Sequence, residues 1–262
     1  MRRVEFGSAK RVASMAAGLL LAVAICTGRL PAGPPVALAQ QPPSASGIEV
    51  TTLATRRLDE VPPDRLWVLR RGHPLNEDAH AGGFTYAARG ASYLVVEDSR
   101  GFQMQEGQAA WAPEVIGHLH TTAFRTSSGG RSPDAAGTET WTILLEAEND
   151  ARKSGASASS PLLQGLAPGA HEARLAAMTF QPGASTALRR RTGPELDYAL
   201  DGTWELEYNG VPLAVGAGQG YLADPDVPHR LRNVGNEPAH LLSAQLVPDG
   251  KPAEEPVPES GP

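Results

Sequence analysis

Three consecutive arginines, Arg189, Arg190 and Arg191, end a strand-like run that begins at Thr186. Side chains two apart on a strand share a face, so Arg189 and Arg191 present their guanidinium groups side by side. Such a pair can grip a carboxylate or phosphate through bidentate hydrogen bonds. It can also be neutralised inside the fold by a carboxylate such as Glu195. A third arrangement turns Arg190 inward and the other two outward. Of the seven histidines, His118 and His120 lie in another alternating run, Ile116 to Thr122, and share its face with Thr122. Together with His80 they make a three-imidazole set able to hold a divalent metal (Fe, Mn, Zn or Ni) with positions left open for water or substrate. The alternative is that these histidines are surface or hydrogen-bonded core groups. There is no Gly-x-Ser-x-Gly elbow, no phosphate loop and no cysteine nucleophile. Isolated carboxylates such as Asp197 and Asp201 fall at strand ends and read as turn and surface residues.

The elements that must position these groups begin after residue 39. Arg2, Arg3, Lys10 and Arg11 form a basic stretch, and Met15 to Ile25 an apolar one too short to span a bilayer comfortably. Ala37-Leu38-Ala39 offers small residues for cleavage before Gln40. Residues 1–39 therefore read as a Sec-type signal peptide and the protein as exported: secreted, periplasmic or in the cell envelope. An uncleaved anchor is one alternative, and lipidation of Cys26 is another. Cleavage removes the only cysteine and leaves 18 basic against 28 acidic residues, which moves the formal charge from −6 to −10. That balance argues against nucleic acid and anionic membrane surfaces as partners.

Residues 40–61 read as a linker and an N-terminal strand, with Ile48 to Ala54 suited to a sheet edge. From Phe84 short strands alternate with Gly, Asn and Pro turns, and Trp141 to Glu146 closes the first set. Ala151 to Ser160 is a low-complexity connection. A second set runs from Ala173 to Leu246. Within it Trp204, Leu206 and Tyr208 alternate with Glu205 and Glu207, and Asn209-Gly210 predicts a type I′ hairpin turn. Pro248 to Pro262 is rich in Pro and Glu and is expected to be disordered. No amphipathic helix of three turns interrupts the pattern, so the fold is all-β, a sandwich or barrel. The halves also repeat. Tyr86-Ala87-Ala88-Arg89-Gly90 parallels Tyr198-Ala199-Leu200-Asp201-Gly202, and the eleven-residue interval from Gly107 to His118 equals that from Gly218 to His229. An internal duplication follows.

Gly218, His229 and Asn233 fall on the second motif of the cupin family, with Asp224 and Asp226 where that motif carries Pro and Gly. Gly183, Glu195 and Gly202 fall on the first motif. The chain resembles a bicupin, two tandem cupin jelly-roll barrels, over about residues 171–247 and more loosely over 62–146. The resemblance implies that a metal, where present, would be held by two first-motif histidines, the Glu and the second-motif His. Here Arg189 and Arg191 stand at the two histidine positions. Arginine stays protonated and cannot ligate a metal as imidazole does, so no metal is expected in the second barrel. In the first barrel His118 takes the second-motif position, and Gly83 stands where the Glu would be.

The expected domains are a signal peptide (1–39), the linker and strand (40–61), a degenerate first barrel (62–150), a linker (151–164), a second barrel (165–247) and a disordered tail (248–262). The candidate ligand-binding set is Arg189, Arg191, Glu195, Tyr198 and His229, with His80, His118 and His120 as metal candidates. The first functional reading is an exported small-molecule-binding or structural module with a degenerate metal site and a pocket open to an anionic ligand. The alternative is a metal-dependent bicupin enzyme, of dioxygenase or isomerase type, working from the first barrel. No catalytic residue can be named, membrane contact ends with signal cleavage, and a homodimer is compatible with the family resemblance.

Overall fold

Alternation of apolar and polar side chains produces the strands, and their pairing produces two jelly-roll barrels in tandem. The computed structural model describes residues 47–71, 82–90, 92–95, 101–112, 119–121, 139–151, 158–163 and 165–258. The first half contains β1 (Ile48–Leu58), β2 (Arg65–Arg71), β3 (Gly83–Arg89), β4 (Ser92–Val95), β5 (Gly101–Met104), β6 (Ala109–Ala112), β7 (Leu119–Thr121) and β8 (Glu139–Ala147). One helical turn, α1 (Glu148–Ala151), and the short β9 (Ala158–Ser159) lead to the second half. There follow β10 (His171–Phe180), β11 (Arg189–Arg191), β12 (Glu195–Ala199), β13 (Thr203–Tyr208), β14 (Val211–Gly216), β15 (Gly220–Ala223), β16 (His229–Asn233), β17 (Ala239–Pro248) and β18 (Glu254–Pro256).

The second barrel pairs a sheet ordered β1-β10-β17-β12-β15 with one ordered β14-β13-β16-β11-β18. The first pairs β9-β2-β8-β3-β6 with β5-β4-β7. The sheets β1-β10-β17-β12-β15 and β9-β2-β8-β3-β6 have the same plan, and each is completed by a strand from the segment before the other half. β1 crosses to lie against β10, from Ile48 opposite Phe180 to Leu58 opposite His171. β9 lies against β2, with Ala158 opposite Leu69. The segment read as a linker thus contains a sheet strand.

The duplicated residues occupy equivalent turns. Ala87 N–H donates to Gln108 O at 2.9 Å and Gly107 N–H to Ala87 O at 2.8 Å; Ala199 N–H donates to Gln219 O at 2.9 Å and Gly218 N–H to Ala199 O at 2.8 Å. The Gln108 and Gln219 amide oxygens each accept a backbone N–H three residues upstream, both at 2.8 Å. Gly107 (φ 80°) and Gly218 (φ 79°) hold the left-handed conformation that these turns need.

Asn209 (φ 50°) and Gly210 (φ 76°) form the type I′ turn between β13 and β14. Trp204 and Leu206 on β13 face the core, where Trp204 meets Phe180 edge-to-face at 5.0 Å. A second core joins the barrels: Trp67, Phe84, Trp141 and Ile143 of the first pack with Leu175, Leu196, Tyr198 and Leu242 of the second. Burial on both faces explains why strands such as β12 are apolar at one parity and polar at the other, yet inaccessible throughout.

The tail expected to be disordered contains β18, with Arg191 opposite Glu254 and Arg189 opposite Pro256. Composition counts its charges as repulsive, but Glu254 and Glu255 lie against the arginines of β11. Its prolines also limit the conformational freedom that ordering must remove.

Candidate functional site

Strand parity decides which charged groups enter the second barrel. Arg189 and Arg191 of β11 are buried, while Arg190 is partly exposed and faces Glu255 at 3.8 Å. On β12, Glu195 and Asp197 point the same way and are also buried. From β17, Ser243 lies opposite Asp197 and Gln245 opposite Glu195. From β16, His229 lies opposite Arg189 and is fully enclosed.

These groups form one network. Arg191 Nε donates to Glu195 Oε2 at 2.5 Å, and Ser243 donates to Glu195 Oε1 at 2.6 Å. Arg191 Nη1 donates to Glu254 Oε2 at 2.6 Å, and Arg189 Nη1 lies 3.3 Å from the same oxygen. His229 Nδ1 is 3.0 Å from Val227 O. A carbonyl can only accept, so Nδ1 carries the proton. The other ring nitrogen, Nε2, is 3.7 Å from Glu195 Oε2 and has no hydrogen-bond partner among the described residues. Arg189 Nε and Asp197 Oδ1 are likewise buried without hydrogen-bond partners among the described residues. A cavity of about 290 Å³ adjoins the cluster, bounded by Val50, Ala176, Met178, Arg189, Ser243 and Gln245 among others.

Burial alone would favour a neutral Glu195. Arg191, with smaller contributions from His229, Arg189 and Ser243, outweighs it and holds the carboxyl well below the usual carboxylate range. Asp197 responds oppositely. Burial and the neighbouring Glu195 charge push it up to about 6, against the pull of Arg191, Tyr221 and Arg189. The Tyr221 hydroxyl donates to Asp197 Oδ2 at 2.5 Å, and burial together with that carboxylate raises its own pKa well above 10.

The structure therefore gathers Arg189, Arg191, Glu195 and His229 and leaves out Tyr198. Tyr198 is three positions from Glu195 on the same strand, so it points to the opposite face. There it meets Trp141 edge-to-face at 5.7 Å, beneath the Arg71 guanidinium. Asp197, read as a surface residue, is a correction: it is 2% exposed and belongs to the site. Its separation of two from Glu195 was the available signal. Asp201 is a surface residue and accepts from the backbone N–H of His240 at 2.8 Å. Glu254 gave no sequence signal, because its role depends on a strand pairing across more than sixty residues. Asn233, the buried last residue of β16, is structural, its side-chain amide donating to Phe180 O and Glu237 O.

A metal does not fit this donor set. The Arg191 guanidinium already occupies Glu195 Oε2, and a second cation there would be repelled. Among the described residues no three His, Cys, Asp or Glu side chains converge on one point. In the first barrel, His80 and His118 lie outside the described residues. His120 is on β7 opposite Leu94. Gly83 holds the position equivalent to Glu195, and a Cβ there would come within 2.5 Å of Ile143 O. The described interior instead holds an Arg70–Glu146 ion pair. Thr85, Thr140 and Thr142 lie buried on neighbouring strands, their hydroxyls without partners among the described residues.

Residues 176–245 match the family model described as the cupin domain. The second barrel is a cupin domain. No curated protein sequence matches the chain. Among solved structures, a cupin 2 conserved barrel domain protein from Leptotrichia buccalis shares 12% identity over 76% of this chain and 84% of its own, with a TM-score of 0.38. A predicted oxalate decarboxylase from Thermotoga maritima shares 24% over 31% of this chain and 84% of its own, with a TM-score of 0.27. An oxalate oxidase in complex with the substrate analogue glycolate shares 17% over 28% of this chain, with a TM-score of 0.27. The match spans 41% of that oxidase chain. Likenesses this distant carry no statement about activity.

Proposed function

We propose that the cupin domain is a binding module for a small anionic molecule, with guanidinium groups standing where a metal centre would be. We further infer that it works outside the cytoplasm once residues 1–39 are removed. One observation carries the binding reading. Two buried arginines converge on the barrel interior, only one has an internal buried carboxylate, and the other keeps an unpartnered Nε beside an open cavity. A desolvated guanidinium with a vacant donor favours an oxyanion, because the arginine cannot discharge itself by losing a proton. Arg191 fixes Glu195, which leaves Arg189 as the group most available to a ligand. Carboxylate is favoured over larger anions, since a carboxylate, that of Glu254, already satisfies the geometry.

Thermal unfolding of the mature protein with acetate, succinate and inorganic phosphate tests this. A ligand at one hundred times its Kd should stabilise the protein by about 2.7 kcal/mol. Arg189→Gln leaves the Arg191–Glu195 pair intact and should abolish the shift. Equal stabilisation of the wild type and Arg189→Gln would overturn the proposal.

A further inference from the structure

The pocket's second carboxylate comes from a segment only lightly attached to the barrel. Asp249 N–H donates to Ala170 O at 2.9 Å, which fixes the base of that segment. Beyond it, Thr192 donates to Pro252 O at 2.6 Å and Gln245 to Ala253 O at 2.7 Å. Val257 N–H donates to Leu188 O at 3.0 Å. β18 is an edge strand whose three residues are all exposed. It buries no apolar cluster, so its attachment rests on hydrogen bonds at the sheet edge and on the ion pairs of Glu254 and Glu255. Segments of this kind open at a small fraction of the global unfolding free energy.

Glu254 is the joint between this strap and the pocket. Its carboxylate spans Arg189 and Arg191, yet its side chain is 49% exposed. Solvent therefore reaches the carboxylate that the two guanidiniums share. The cavity beneath has a mixed wall, apolar at Val50, Ala176 and Met178 and polar at Ser243 and Gln245. An occupant with one carboxylate on the arginines and a short, partly apolar body suits that wall.

We propose that residues 251–257 form a displaceable strap in which Glu254 substitutes for the ligand's carboxylate, so that ligand binding and strap release are coupled. The inference rests on the carboxylate-binding reading above and assigns its regulation. A ligand carboxylate that bridges the two arginines needs the Arg189 and Arg191 Nη1 donors that Glu254 Oε2 now holds, so it must displace Glu254. Glu254 is tethered, so it competes at an effective concentration of about millimolar. A free carboxylate of the same intrinsic affinity must reach that concentration to enter, and the apparent affinity falls by the fraction of molecules with the strap open.

Isothermal titration of full-length mature wild type, Glu254→Gln and Arg189→Gln with sodium succinate and sodium acetate tests the coupling. Hydrogen exchange at the Val257 amide is followed in the wild type alongside. Glu254→Gln should bind about tenfold or more tightly than wild type, and Arg189→Gln should not bind. Saturating succinate should speed Val257 exchange about tenfold. Equal affinities for wild type and Glu254→Gln, or unchanged Val257 exchange at saturation, would overturn the strap and leave the pocket standing. Binding of neither anion by either protein would overturn the pocket and the strap together. The exchange measurement needs no variant, so the result does not depend on Glu254→Gln folding.

Discussion

Glu195 and Gly83 occupy equivalent places on β12 and β3, in sheets with the same strand order and the same Gly-Gln turn. Around Glu195 the barrel supplies Arg191, Ser243 and His229. Around Gly83 it supplies Leu144 and the carbonyl of Ile143, which leave no room for a side chain. The next inward positions are Asp197 and Thr85, and facing them across the sheet stand Ser243 and Thr142. The hairpins were kept while the interiors diverged, because a turn depends on backbone conformation and a site depends on side-chain chemistry. Both barrels bury an Arg–Glu pair, but at non-equivalent positions: Arg191–Glu195 crosses from one sheet to the other, whereas Arg70–Glu146 joins two neighbouring strands of one sheet.

The largest test of this contrast removes the carboxylates. Glu195→Ala and Glu146→Ala should each destabilise by about 3–5 kcal/mol in urea unfolding, since Arg70 loses its buried carboxylate and Arg191 keeps only the half-exposed Glu254. A loss below about 1 kcal/mol at Glu195 would show that Glu254 alone neutralises Arg191.

The next test is the pH dependence of stability. Asp197 faces Glu195 from its own strand, Arg189 and Arg191 from β11, Tyr221 from β15 and Ser243 from β17. Its folded pKa, about 6, lies above its ordinary value of 3.8. The folded protein thus holds a proton that the unfolded chain releases. The stabilisation is complete below about pH 4 and lost as pH rises towards 6, on the order of 2–3 kcal/mol. Glu195 is shifted the other way, so its contribution is present above its ordinary value and lost as pH falls below about 4.5. Unfolding midpoints should peak near that pH, and Asp197→Asn should flatten the decline from 4 to 6 without altering the acid side. A decline unchanged in Asp197→Asn would assign it to another group.

Smaller effects separate interior from turn. Gly83→Ala should cost about 1–3 kcal/mol through overpacking against Ile143 and Leu144. Gly107→Ala and Gly218→Ala should each cost about 1 kcal/mol, equally in the two barrels, because both demand positive φ and neither Cβ would meet a clash. Unequal costs would mean that the two turns are no longer equivalent.

Much of this was legible in order of locality. Asn209-Gly210 announces its turn through the backbone it permits, and Trp204, Leu206 and Tyr208 announce a strand through period two. The pairing of Arg189 with Arg191 was readable from spacing, and so, by the same parity, was the exclusion of Tyr198 and the inclusion of Asp197. The reciprocal exchange of β1 and β9 between barrels was not, since either strand could pair with either sheet edge on local grounds.

The sequence by itself determined the all-β character, the duplication and the pairing of Arg189 with Arg191 on one strand face, because each is a matter of residue type at short, fixed intervals. Tertiary structure alone decided where the charges go: Glu195 and Glu254 onto Arg191, Arg189 left with a vacant donor, Asp197 buried beside Tyr221. Those outcomes turn on distances between strands far apart in the chain. A charge in a tail reads as solvated until the fold brings an opposite charge to it.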